Sequence, residues 1–156
     1  MGSVTKSIDV QVPLSTAYNQ WTQFETFPQF MEGVKEVRQL DDQNLHWRAE
    51  VGGKEQEWDA RITEQLPDNR IAWTSTSGDM NAGAVDFHRI SDDMTRITLT
   101  IDYDPQGFLE SIGDALGFMD RRVDGDLKRF KQFIESRGAE TGGWRGTISD
   151  HPETTP

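Results

Sequence analysis

The chain has 156 residues, no cysteine, and a formal charge of −11 from 16 basic and 27 acidic side chains. That length suits one domain with a real core, and the charge repels phosphate backbones and anionic lipid surfaces, so nucleic acid is not expected as a partner. The absence of cysteine removes disulfides, thiolate nucleophiles and cysteine metal ligands.

Hydrophobic residues make up only 34% of the chain, but five Trp and eight Phe carry large areas for burial. No apolar run reaches the roughly 20 residues of a transmembrane helix, and no apolar core of a signal peptide opens the chain. Lys6 stands where an N-myristoylation motif has Ser or Thr. A cytoplasmic location follows as the expectation.

Val4, Ile8, Val10 and Val12 alternate with polar residues, with Lys6 interrupting the apolar face, and predict a half-buried first strand. Pro13 ends it. Leu14-Ser15-Thr16 opens a short helix whose face carries Tyr18, Trp21 and Phe24, and Glu25 to Met31 begins a second short helix with Pro28 near its first turn.

Six further strands follow, separated by turn signals. They run through Val34–Leu40, Leu45–Val51, Trp58–Ile62, Ile71–Ser75, Ala82–Ile90 and Ile97–Tyr103. Gly52-Gly53 marks a two-residue hairpin, and Gly83 suggests a bulge.

From Pro105 to Arg137 the residues Ile112, Leu116, Met119, Val123, Leu127, Phe130 and Ile134 recur at spacings of four and three. This is one face of a helix of about eight turns. Gly113 and Gly117 inside it point to close packing on the sheet or to room for a ligand. The apolar faces then combine into an α+β fold, a curved seven-stranded antiparallel sheet wrapped on the long C-terminal helix, with the two short helices plugging one end. Residues 1–137 form this domain; 138–156 lack periodicity and read as a flexible tail in which Trp144 can dock locally.

The segments Phe27-Pro28-Gln29-Phe30-Met31, Glu57-Trp58-Asp59-Ala60, Pro67-Asp68-Asn69-Arg70-Ile71-Ala72-Trp73 and Tyr103-Asp104-Pro105-Gln106-Gly107 stand in this order of elements. Together they resemble the helix-grip fold of the START-like and Bet v 1-like (SRPBCC) superfamily, and more closely bacterial proteins of the polyketide cyclase/dehydrase type. The tail from Glu140 to Gly146 is similar to an extension in one bacterial branch. The resemblance implies a cavity between helix and sheet for a hydrophobic ligand, a lipid or a polyketide-like molecule.

Candidate chemistry is sparse. His46 and His88 fall on polar strand faces and His151 in the tail, with no metal-binding spacing between them, so no metal is expected. Asp41-Asp42, Asp92-Asp93 and Asp102–Asp104 sit in turns or on polar faces, as solvated charge. Gly52-Gly53 and Gly78 open no helix and make no phosphate loop, and no cofactor is implied.

The aromatic set is more informative. Trp47, Trp58, Trp73, Phe87, Tyr103 and Ser75 project inward from the strands, and Ile112, Leu116 and Met119 from the helix; these nine either fill the core or wall a ligand site. Three functions follow, in order: binding of a small hydrophobic or aromatic molecule; interaction with a protein through the acidic surface or Trp144; and a cyclase or dehydratase activity. The last rests on the resemblance, with Tyr103 and Ser75 as catalytic candidates.

Overall fold

In the computed structural model, which describes residues 2–107, 109–110 and 112–149, the strands are β1 (Gly2–Val10), β2 (Val34–Gln39), β3 (Asn44–Val51), β4 (Lys54–Leu66), β5 (Arg70–Ser75), β6 (Asn81–Ser91) and β7 (Met94–Tyr103). They form one antiparallel sheet in the order β1-β7-β6-β5-β4-β3-β2. Register shifts at Val34/Glu36, Ile62/Glu64 and Arg89/Ser91 bend the strands so that the sheet curls around one face. An α helix, α1 (Leu14–Trp21), and a 3₁₀ helix (Phe24–Gln29) follow β1, as the aromatic spacing predicts.

The outer face is mostly polar, with Ala72, Ala82 and Ala84 among its residues. Thr5 meets Thr100 and Ser7 meets Thr98 across the β1–β7 pair, and Arg70 bridges Glu64 and Asp86. His46 is more than a solvated strand residue: it lies 2.7 Å from Asp59 and 2.9 Å from Glu57, and these carboxylates raise its pKa.

The long helix α2 spans Ala115–Arg137, shorter than its periodicity predicts. Ile112, Gly107 and Gly113 therefore lie before the helix, in a stretch of turns. Asp114 stops the helix from extending backward, because its carboxylate caps the first turn by accepting the Gly117 N–H at 2.9 Å. A Cβ on Gly117 would overlap that carboxylate, so this glycine serves the cap and neither of the roles expected for it. Gly138, at φ 73°, ends the helix with its N–H on the Ile134 carbonyl.

Val123, Leu127, Phe130 and Ile134 are buried against the sheet, and Lys6, the polar intruder in β1, reaches Asp120 of α2 at 3.0 Å. Their partners at one end are aromatic. Trp21 meets Phe27, Phe30 and Phe130 at ring distances of 5.0–5.4 Å, which makes the short helices a plug under the second half of α2.

Residues 139–149, expected as a flexible tail, lie against this plug. The buried Gln20 amide donates to Thr141 Oγ1 and accepts the Thr141 N–H, Trp144 N–H donates to Thr22 Oγ1, and Arg145 pairs with Asp68 at 2.8 Å. A two-residue strand, β8 (Ile148–Ser149), then pairs with β4 at Glu64 and Gln65. Such side-chain bonds leave no periodicity for a sequence reading to find. His151 and the rest of 151–156 lie outside the described residues.

Burial along α2 is uneven, with Leu116 57% exposed and Val123, Leu127, Phe130 and Ile134 buried. Amide exchange is therefore expected to be faster over 112–119 than over 126–134; the reverse order would contradict a helix anchored by its second half.

Candidate functional site

The plug fills only part of the space beneath α2. What remains is a cavity of about 110 Å³ between the first half of the helix and strands β3 to β7. Its floor is built from tryptophans on three neighbouring strands. Trp47 and Trp58 are direct cross-strand partners whose rings stack at 5.8 Å and 9°. Trp47 also stacks on Trp73 of β5 at 5.9 Å and 26°.

Two small residues allow this arrangement. Ala60 occupies the position between Trp58 and Ile62 on the same face of β4, so the Trp47 ring can pass over that strand. Gly83 stays in register with Trp73 and Ile101, so it is no bulge. A Cβ there would overlap the Trp73 ring, and the glycine is what gives that ring its place.

Polar groups in the wall are few. The sheet contributes Asn81 and the buried Tyr103, and the helix side contributes Glu32, Arg122 and Asp126. The Trp47 Nε1–H, in the same wall, has no hydrogen-bond partner among the described residues.

Arg122, Asp126 and Arg129 stand on one face of α2 and grip the backbone after the 3₁₀ helix. Arg122 donates to the Glu32 carbonyl at 2.7 Å, Asp126 Oδ1 accepts the Glu32 N–H at 3.0 Å, and Arg129 donates to the Phe30 carbonyl at 3.0 Å. Arg122 also lies over the Phe118 ring at 4.9 Å, so it ties the two sides of the cavity rim together.

Asp126 is the one carboxylate of the cavity wall that is buried, at 8% exposure. Oδ1 takes both the Glu32 N–H and Arg129, whereas Oδ2 has no hydrogen-bond partner among the described residues. Burial outweighs those donors and the nearby guanidinium groups and pushes its pKa up to about 6.

Of the nine residues expected to line the site, Trp47, Trp58, Trp73, Tyr103 and Met119 come together in the cavity wall. The other four do not. Ser75 Oγ accepts the Asn81 N–H at 3.0 Å and fastens the β5–β6 turn, so of the two catalytic candidates only Tyr103 reaches the cavity. Phe87 packs edge-on to Tyr18 at 5.3 Å, Ile112 lies over the Gly52 turn, and Leu116 faces solvent because the helix begins only one residue before it.

Missed by the sequence reading were Met31, Glu32, Asn81, Phe118, Arg122 and Asp126. Asp126 carried a signal: Val123, Asp126 and Phe130 follow the helical spacing, so a carboxylate interrupts the apolar stripe.

Residues 10–132 match the family model for polyketide cyclase / dehydrase and lipid transport. The chain belongs to that family. A member from Streptomyces lincolnensis, an uncharacterized 17.2 kDa protein, is 55% identical over 149 residues, covering 95% of this chain and 99% of its own.

Among solved structures of the same fold, the Zhui aromatase/cyclase of Streptomyces sp. R1128 superposes with a TM-score of 0.74 at 16% identity, over 92% of this chain and 99% of that one. A START superfamily protein of Mycobacterium smegmatis gives 0.68 at 15% identity, over 86% and 95%. Likeness at such identities establishes the shared helix-grip fold. No helix among the described residues is long and apolar enough to cross a membrane.

The Asp126 shift has a stability consequence. A carboxyl raised from 3.8 to about 6 on folding stabilises the fold fully below pH 3.8, and that contribution is lost as pH rises through about 6. Between about pH 4 and pH 7, wild type should lose on the order of 2 kcal/mol relative to Asp126→Asn in denaturant unfolding. A pH-independent difference would contradict the raised pKa.

Proposed function

We propose that this protein binds a small, flat, apolar molecule, a single aromatic ring or its equivalent, in the cavity between the tryptophan floor and α2. The observation that carries this reading is the stacked Trp47–Trp58–Trp73 set, which borders the cavity while Phe24 and Phe27 pack against Trp47 and Trp73 on the plug side. Rings prefer offset stacking or edge contact with such surfaces, at about 0.5–1.5 kcal/mol beyond burial. The family, and the aromatase/cyclase and START neighbours, support a hydrophobic ligand of this kind.

Volume narrows the class. A cavity of about 110 Å³ is smaller than the roughly 150 Å³ that accepts benzene in a dry protein interior, and far below the roughly 300 Å³ at which drug-sized sites begin. One ring fits with small adjustments. A long acyl chain or a fused polyketide exceeds this volume, so part of it would stay outside the cavity or the lining would have to move.

A second reading, proton transfer on a carbonyl-bearing substrate, is favoured by a specific observation. Asp126 presents an unpartnered Oδ2 in a mostly apolar cavity, with its pKa near neutrality. Tyr103 would then be the second polar group. Interaction with a protein through Trp144 has less support, because that residue is half-buried and bonded to Thr22.

Titration with one-ring aromatics, fused-ring aromatics and fatty acids, followed by tryptophan fluorescence and native mass spectrometry, tests the binding. One-ring compounds should give saturable changes in wild type. Ala49→Leu, which puts bulk into the cavity wall, should weaken them at least tenfold while costing about 1–3 kcal/mol of stability. No saturable change with any compound would sink the proposal.

A further inference from the structure

We infer that ligand binding in this cavity is coupled to uptake of a proton by Asp126, and that the site selects neutral ring compounds bearing an acceptor oxygen, such as aryl ketones, over ions. The inference rests on the binding reading above and adds the ligand's polar group and its pH control.

The argument begins with Asp126. Its side chain lines the cavity, and its Oδ1 is committed to the Glu32 N–H and Arg129. Oδ2 is left for whatever occupies the cavity. While the cavity holds water, a charged Oδ2 is solvated from that side. An apolar ring that displaces the water leaves the charge without this solvation, which disfavours the ionised form. Protonation removes the penalty and turns Oδ2 into an O–H donor directed at the ligand, matched by an acceptor oxygen.

The groups around Asp126 limit the alternatives. On its own helix are Arg122 and Arg129, and Arg129 also lies 3.7 Å from the Glu32 carboxylate. Arg122 is engaged with the Glu32 carbonyl and the Phe118 ring. Nearly two turns earlier on α2, Asp120 is paired with Lys6 of β1. The polar residues that the sheet adds to the wall are Asn81 and Tyr103, and among the described residues no carboxylate or basic side chain joins them from the strands. Asp126 is thus the group in the wall placed to change charge when the cavity fills. Its pKa in the empty protein is already displaced in the direction that burial dictates.

Linkage fixes the sign. A ligand that raises the Asp126 pKa further binds more tightly to the protonated form, so affinity should rise as pH falls through the neutral range and level off once the acid is protonated without ligand. A carboxylate ligand is disfavoured near neutrality, because two negative charges would share the cavity.

The probes are acetophenone, which has a ring and an acceptor oxygen, and ethylbenzene, which has nearly the same shape without it. Isothermal titration calorimetry at several pH values, in buffers of different ionisation enthalpy, measures both affinity and protons taken up. For acetophenone and wild type, we expect affinity about tenfold higher at pH 5 than at pH 8, with a substantial fraction of a proton taken up per ligand near pH 7, on the scale of one hydrogen bond between neutral groups. Ethylbenzene should bind more weakly than acetophenone at pH 5. In Asp126→Asn, which keeps a donor but cannot titrate, affinity should be independent of pH with no proton uptake.

Arg129→Gln provides a second variant should Asp126→Asn fail to fold. Removing the positive charge favours the protonated carboxyl, so the midpoint of the affinity change should move to higher pH. Binding without pH dependence or proton uptake, or pH dependence that survives in Asp126→Asn, would overturn the coupling while leaving the cavity reading intact. Absence of binding by either probe at any pH would overturn the cavity reading itself.

Discussion

The contact between Trp21, Phe30 and Phe130 fixes where everything else can sit. These rings meet at 5.0–5.4 Å, all fully buried or nearly so, and they join the two short helices to α2 on one side of the curved sheet. Each buried aromatic of this size removes on the order of 150–250 Å² from water, which is more than enough to set the position of a helix. The aromatic mass is concentrated under the second half of α2, and the first half, tied to β1 through Asp120 and Lys6, has space left beneath it. A cavity is the geometric remainder. It occurs over the strands whose inward residues are tryptophans, separated by the alanine and glycine that let the rings lie flat.

The strap that follows α2 reinforces the same region from outside. Gln20, buried in α1, exchanges two hydrogen bonds with Thr141, and Arg145 lies over the Tyr18 ring while paired with Asp68. Burial pushes the Tyr18 hydroxyl up to about 12, consistent with a side chain used for packing and not for proton transfer. The molecule therefore has two differently built ends, one cross-braced by aromatic packing and side-chain bonds, the other open enough to keep an internal volume. Polar side chains in the second end are correspondingly few, and Asp126 stands where the two meet.

Much of the fold was legible because strand alternation is a direct consequence of one face being dry. The inward residues of β3, β4 and β7 needed only that period to be assigned, and so did the aromatic stripe of α1. The start of α2 was not legible. Ile112 and Leu116 happen to continue the apolar spacing of Val123 and Leu127, yet the Asp114 cap decides where hydrogen bonding begins. Tertiary bonds between side chain and backbone, such as those of Gln20 with Thr141, have no periodic trace at all. Within the site, the tryptophans were found because they are large and inward. Asp126 and Arg122 were not, because an amphipathic reading discards charged residues from a buried face, although Asp126 keeps the helical spacing. Its burial depends on the chain connection at Glu32 folding over it, an interaction across 94 positions of sequence.

The central claim is that the volume beneath α2, and not the strap around Trp144 or the aromatic plug, is where this protein meets its ligand. The five indole N–H groups report on these places separately: Trp47, Trp58 and Trp73 from the cavity, Trp21 from the plug and Trp144 from the strap. Titration of ¹⁵N-labelled protein with acetophenone, followed through the indole resonances, is the most direct test. The account predicts saturable shifts at Trp47, Trp58 and Trp73, with Trp21 and Trp144 nearly unmoved. Shifts confined to Trp144, or none at the three cavity tryptophans, would contradict it.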